Sequence, residues 1–302
     1  MADLTFRDLS VPQGVAMAEG LMREKFYVLA RNIFRSVIAR ANGQERRYIR
    51  RRLLLIQRVS PRTPWLYDLL RLLEPNTTNV FVGDGLATWM KVAPFMEDER
   101  FLDLAERHGE LIPVAGLHWN LSVVLWAVKR AQALDGDFVE LGVFKGHTTL
   151  FCAEYLGFQD WAKNWFLYDT FDGVPDDQLD AGWADANRRA YKNTFSYDEV
   201  VARFAPYPNI RVTQGRVPEI LSDVCPDRIA FLHVDLNNSQ AEIAALDALY
   251  DRIVPGGVIV FDDFAWDVAG AQRKAEVEWF AARGLEILAL PTGQGLFIKP
   301  LA

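Results

Sequence analysis

The chain has 302 residues, 50% hydrophobic and 24% charged, with a mean hydropathy of -0.01, a profile that excludes a disordered, fibrous or membrane-embedded protein. Two cysteines exclude a disulfide scaffold and fit a reducing compartment, and no Cys/His cluster has zinc spacing. The net charge of -7 is uneven: residues 1–60 carry +7 and the remainder -14, and an acidic body speaks against a nucleic-acid-binding protein. Asp3, Arg7 and Asp8 interrupt any signal-peptide-like start, and the aliphatic run 53–56 is far too short to span a bilayer. A cytoplasmic protein without a membrane span is expected.

Helical spacing predicts a helix over Gly20–Ala41, stopped by Asn42-Gly43, and a second over Arg46–Val59, ended by Pro61 and Pro64. A third helix is expected over Trp65–Leu73, then a loop or short strand over Asn79–Gly85 and helical pieces over Leu86–Met90 and Asp98–Arg107. Arg46, Arg47, Arg50, Arg51 and Arg52 cluster in the second helix without stacking aromatics or RNA-motif glycines. They read as a solvated helix face, or as an arm packing on a partner subunit's acidic body, so a homo-oligomer is expected. Residues 1–111 carry no motif tied to chemistry and are expected to form a helical N-terminal extension, a lid or an oligomerisation element.

From residue 112 to 302 the pattern becomes strand–helix alternation. Strands are predicted at Asp137–Leu141, Trp165–Tyr168, Ile210–Thr213, Phe231–Val234 and Gly257–Phe261. Helices are predicted at Trp119–Leu134, Thr148–Leu156, Tyr197–Phe204, Gln240–Arg252 and Gly270–Arg283. Such alternation implies an α/β domain whose parallel sheet is covered on both faces. Leu285–Leu290 and Leu296–Lys299 around Pro291–Gly295 read as a closing antiparallel hairpin.

In open α/β sheets ligands sit beyond the carboxyl ends of the strands, so those residues carry the functional reading. After the first strand, Glu140, Gly142 and Gly146 combine an acid with a tight turn and a helix start, in a pattern that is neither G-x-G-x-x-G nor a P-loop. An acid there suits a cationic, amino-bearing ligand such as S-adenosylmethionine better than a pyrophosphate. Asp169, ending the second strand, can accept hydrogen bonds from a ribose diol, or can simply cap a turn. Gly215 and Arg216 after the third strand could frame an adenine. Asp235, Asp262 and Asp263, at the ends of the fourth and fifth strands, would converge on one spot and repel one another unless a cation sits among them. All-oxygen ligands select a hard ion, with Mg²⁺ first. His147 and His233 are not spaced as a ligand pair.

The stretches FVELGVFKGHTT, YDTFDGVP, FLHVDLNNSQAEIAALDALYDRIVPGGVIVFDDF and LPTGQGLFIKP together resemble the macrocin O-methyltransferase family, over about residues 112–300. The resemblance implies a class I methyltransferase sheet, Rossmann-like in plan, and a metal-dependent O-methyltransferase that uses S-adenosylmethionine. It places the cofactor on Glu140, Gly142, Gly146 and Asp169 and the metal beside Asp235, Asp262 and Asp263; Val143, Phe144, Thr148, Thr149, Thr170, Phe171, Gly215, Arg216 and Asp235, at the same strand ends, are expected to complete the cofactor site. The family often reads D-G-D after the fourth strand and then a Ser-Thr pair; here Leu236 and Asn237 follow Asp235, and Ala241-Glu242 replace Ser-Thr. The expected acceptor is a small molecule bearing a hydroxyl, a sugar or another polyhydroxylated natural product. Asp235 is the expected base, with His147 a distant second, and the loop Asp176–Asn193 an expected wall of the acceptor pocket. Competing readings are a nucleotide-binding oxidoreductase of related fold and a non-catalytic binding protein that keeps the sheet.

Overall fold

The computed structural model describes residues 9–58, 80–89, 91–111, 117–180, 191 and 195–301. The chain divides into two compact units, residues 1–102 with 114–118, and residues 103–113 with 119–302.

The first unit begins with three helices, α1 (Val11–Arg23), α2 (Tyr27–Val37) and α3 (Gly43–Arg58). A capping box of Ser10 and Gln13, with proline in the first turn, starts α1. The single helix expected over Gly20–Ala41 is broken instead, and Lys25 takes a left-handed φ of 65° between α1 and α2. Packing explains the break. Ala18 and Met22 of α1 face Ala30, Ile33, Phe34 and Val37 of α2 in one buried cluster with Ile49 and Ile56 of α3, which one straight helix could not assemble. Gly14 permits the close approach, since a Cβ there would lie 2.5 Å from Val37 Cγ1.

The helix expected at Leu86–Met90 is also corrected. Leu86–Trp89 is a strand, β2, paired antiparallel with β1 (Val80–Gly83). The turn between them is Asp84-Gly85, with φ of 51° and 68°, the two-residue hairpin signal that outweighs weak helical spacing. The helix expected at Trp65–Leu73 lies outside the described residues. Three arginines of the basic cluster are paired within this unit: Arg52 with Glu19 at 2.8 Å, and Arg50 and Arg46 with Glu99 at 3.0 and 3.8 Å. Helix α4 (Glu99–Arg107) follows.

In the second unit the described strands are β3 (Asp137–Leu141), β4 (Trp165–Asp169), β5 (Ile210–Gln214), β6 (Ile229–Val234), β7 (Ile253–Phe261), β8 (Leu288–Ala289) and β9 (Gly295–Ile298). They form one sheet in the order β5-β4-β3-β6-β7-β9-β8. β3 to β7 are parallel, and β9 runs antiparallel to both β7 and β8. Helix α5 (His118–Ala131) precedes them, and α6 (His147–Leu156), α7 (Tyr197–Phe204), α8 (Ser239–Leu249) and α9 (Gly270–Ala281) lie between them in the chain. β6 is buried along its whole length, as a central parallel strand covered on both faces must be. The sheet, α8 and α9 share a core that includes Leu232, Ile259, Leu246 and Phe280.

Candidate active site

Strand register assembles the site. β3 and β6 align Glu140 with His233, and β6 and β7 align Val234 with Phe261. The next residues, Asp235 and Asp262, therefore leave the sheet side by side, the Asp262 N–H donating to the Val234 carbonyl at 2.9 Å. With Asp263 they form a cluster in which one carboxylate oxygen of each lies within 4.8 Å of the others. Gly142 lets the ends of β3 and β6 close up: its φ is +83°, and a Cβ there would stand 1.9 Å from the Asp235 carbonyl oxygen.

Three half-buried acids this close repel one another when ionised unless a compensating charge is near. Burial, then the fields of Asp262 and Asp263, push the Asp235 carboxyl well above its ordinary range. Burial, Asp262 and Glu242 do the same to Asp263. Asp262 goes the other way: burial opposes its ionisation, but His233, Asn120 and Gln294 together hold it below the usual range. Its Oδ1 accepts from Asn120 Nδ2 at 2.8 Å and from Gln294 Nε2 at 3.2 Å, with His233 Nε2 3.6 Å away. His233 Nδ1 lies 3.0 Å from Glu140 Oε1. Burial disfavours the imidazolium, yet Asp262 and Glu140 outweigh it and push His233 up to about 10. His233 thus lies buried between Glu140 and Asp262, in a setting that favours its protonated form.

Beside this cluster a cleft of about 580 Å³, counting its open mouth, runs over the carboxyl ends of β3 to β6. Of the residues expected to hold the cofactor, Gly142, Phe144, Asp169, Thr170, Gly215 and Asp235 line it. Asp169 is tied down by three backbone N–H donors: Val143 and Phe144 on Oδ2 at 2.7 and 2.8 Å, and Phe171 on Oδ1 at 2.7 Å. It fastens the loop after β3 to the end of β4 while still facing the cleft. Phe144, Phe171 and Asn237 all take left-handed φ values, 49°, 54° and 58°, in the loops after β3, β4 and β6. Such strained backbone gathers where ligands are held.

The other expected residues are placed off the cleft wall. The Glu140 carboxylate takes a hydrogen bond from the Thr149 hydroxyl and meets His233. Gly146 starts α6 against the Phe204 ring, 2.6 Å from where its Cβ would be. Val143, Thr148 and Phe171 do not line the cleft either. Arg216 turns away, binding both oxygens of Asp177 at 3.1 and 2.6 Å. His147 is buried in the first turn of α6.

Sequence reasoning missed Tyr191 and Phe195, which line the cleft and pack on Phe144 with ring centroids 5.3 and 4.6 Å away. Burial, then Asp235, Asp263, Asp262 and Asp169, push the Tyr191 hydroxyl upward, so it stays a donor. Their only sequence signal is an aromatic pair four residues apart in and beside the loop expected to wall the acceptor pocket. The donor set at Asp235, Asp262 and Asp263 is all carboxylate oxygen and already over-charged, which fits a hard divalent cation.

The strand order reverses between β3 and β6, the cleft opens at that switch point, and the sheet ends in an antiparallel hairpin. This is the plan of a class I methyltransferase. Residues 119–286 match the family described as macrocin-O-methyltransferase (TylF). The chain belongs to the macrocin O-methyltransferase family; it is an O-methyltransferase, and S-adenosylmethionine is the methyl donor of that class. A relative from Streptomyces olivaceus, 8-demethyl-8-(2,3-dimethoxy-alpha-L-rhamnosyl)-tetracenomycin-C 4'-O-methyltransferase, is 27% identical over 222 residues, 70% of this chain and 76% of its own. The structure of the O-methyltransferase NovP is similar with a TM-score of 0.55 at 20% identity, over 63% of this chain and 83% of that one. The calicheamicin methyltransferase CalS11 has a TM-score of 0.48 at 17% identity, over 69% and 94%. The oxidoreductase and non-catalytic readings find no support in these likenesses.

Proposed function

We propose that the enzyme methylates a hydroxyl on the sugar of a glycosylated natural product, and that Asp235, Asp262 and Asp263 hold a Mg²⁺ that assists. The sugar follows the Streptomyces olivaceus relative, whose name gives a rhamnosyl group as the site of methylation. The observation that carries the metal is the double position of Asp235, on the cleft wall and within the carboxylate cluster. It joins the place where the methyl donor would lie to the place where a cation would sit.

Methyl transfer from a sulfonium is an in-line displacement, and alignment of the acceptor oxygen is the protein's main task. The cleft residues at the ends of β3 to β5 would fix the adenosyl end, with Asp169 facing the ribose. A bound divalent cation would lower the pKa of a hydroxyl held against it. Asp235 is assigned to take the proton, and Asn237 Nδ2, donating to its Oδ1 at 2.9 Å, holds the carboxylate in place. Asn237, where the family often carries a second acid, orients the base here. Residues 1–111 are assigned to an accessory region, a lid or the oligomerisation element of a cytoplasmic homo-oligomer, and residues 112–302 to the catalytic domain.

The test is methyl transfer to rhamnosylated acceptors, followed by mass spectrometry with Mg²⁺ and with EDTA. Turnover should stop in EDTA and return with Mg²⁺. Full turnover in EDTA would leave a metal-independent methyltransferase.

A further inference from the structure

We infer that Asn120 and Gln294 are positioning residues that make Asp262 a one-oxygen ligand and so set a preference for Mg²⁺ over Ca²⁺; this rests on the metal reading above. Both are buried, and both aim an amide N–H at the same oxygen, Asp262 Oδ1, from separate elements: the first turn of α5 and the turn between β8 and β9. The Gln294 amide cannot be reversed without loss. Its Oε1 accepts the Thr292 hydroxyl at 3.0 Å, which leaves Nε2 facing Asp262.

An sp² carboxylate oxygen has two lone pairs, and two N–H donors occupy both. The His233 ring lies on the same side, its Nε2 3.6 Å away. The oxygen that remains for a cation is Oδ2. Ca²⁺ takes six to eight oxygens in flexible geometry and gains from two-oxygen carboxylates, whereas Mg²⁺ requires six ligands in near-ideal octahedral array. A carboxylate pinned by one oxygen cannot swing to chelate with two, so the clamp works against the larger ion. The two amides are neutral, so they fix the direction of the carboxylate without neutralising the ligand.

The experiment is a Mn²⁺ titration of the full chain by electron paramagnetic resonance, competed with Mg²⁺ or Ca²⁺, without methyl donor or acceptor. It compares wild type with Asn120→Ala and with Gln294→Met, which keeps side-chain length. Loss of an outer partner of a metal ligand weakens metal binding by about 10–100-fold, and that loss is expected here for Mg²⁺. Ca²⁺ should lose less or gain, so the Mg²⁺:Ca²⁺ affinity ratio falls in both variants. S-adenosylhomocysteine binding, measured on the same samples, should be retained and reports folding; each single variant decides independently. A ratio equal to wild type in a variant that still binds S-adenosylhomocysteine overturns the clamp and leaves the metal site standing. A wild-type chain that binds no Mn²⁺ overturns the metal reading itself.

Discussion

Two clusters of acids stand close together in the second unit, one half-buried and one buried, and meet opposite electrostatic solutions. Asp235, Asp262 and Asp263 occupy strand ends beside an open cleft, with charged and amide partners arranged around one of them. Glu242 of α8 and Glu276 of α9 lie inside the protein, 2% and 1% exposed, and burial above all pushes both carboxyls above the ordinary range. Gln272 Nε2 donates to Glu242 Oε1 at 3.0 Å. One proton retained by the two glutamates removes their mutual repulsion, and Gln272 is a neutral donor beside them. The three aspartates have more charge than one shared proton can offset, all three are only half-buried, and Asp235 lines the cleft. Count and access, not burial alone, separate a proton-sharing pair from a cation site.

The largest effect expected from breaking this contrast is at Asp235. Asp235→Asn removes the proposed base and a metal ligand together, so turnover should fall by at least the about 10²–10⁴-fold that general-base catalysis supplies. Single-turnover kinetics at saturating Mg²⁺ would show whether excess metal restores the rate; it should not. Asp263→Asn removes a ligand that does not line the cleft. Turnover should be lost at ordinary Mg²⁺ and partly recovered at high Mg²⁺, with S-adenosylhomocysteine affinity in calorimetry nearly unchanged.

Glu276→Gln should act on stability and not on metal. Burial, in excess of the opposing hydrogen bond from Glu242, pushes the Glu276 carboxyl from 4.5 up to about 7. The folded state therefore holds a proton that the unfolded state has released. Its stabilisation is full below 4.5 and is lost as pH rises towards about 7. The melting temperature of wild type relative to Glu276→Gln should fall across that window, and a flat difference would remove the shared proton from the account. The smallest effect belongs to Arg216→Ala. Arg216 pairs with Asp177 at the surface, and screened pairs of this kind contribute little. Melting temperature and cofactor affinity should both stay at wild-type values; weakened cofactor binding would instead support the adenine role expected from sequence.

What could be read in advance divides along physical lines. The five parallel strands and the closing hairpin were legible because short β-rich runs alternate with helical periods and end in Gly or Asp. Asp235, Asp262 and Asp263 followed from the same logic, since strand-end residues of neighbouring parallel strands must converge. The break at Lys25 was not legible, because no glycine or proline marks it and the apolar spacing continues through it. Asn120 and Gln294 were hidden for another reason: they reach Asp262 across 142 and 32 positions of sequence, a distance no local pattern encodes. Glu140 kept the expected place beside the glycine turn, but its carboxylate is directed to Thr149 and His233, a pairing fixed by β3–β6 register.

The central claim is that the strand-end aspartates hold a divalent cation while the neighbouring glutamates hold a proton. Anomalous scattering from crystals soaked in Mn²⁺ tests it directly. The account predicts one strong peak among Asp235, Asp262 and Asp263 and none between Glu242 and Glu276. An empty aspartate cluster at millimolar Mn²⁺, or a peak at the glutamate pair instead, would contradict it.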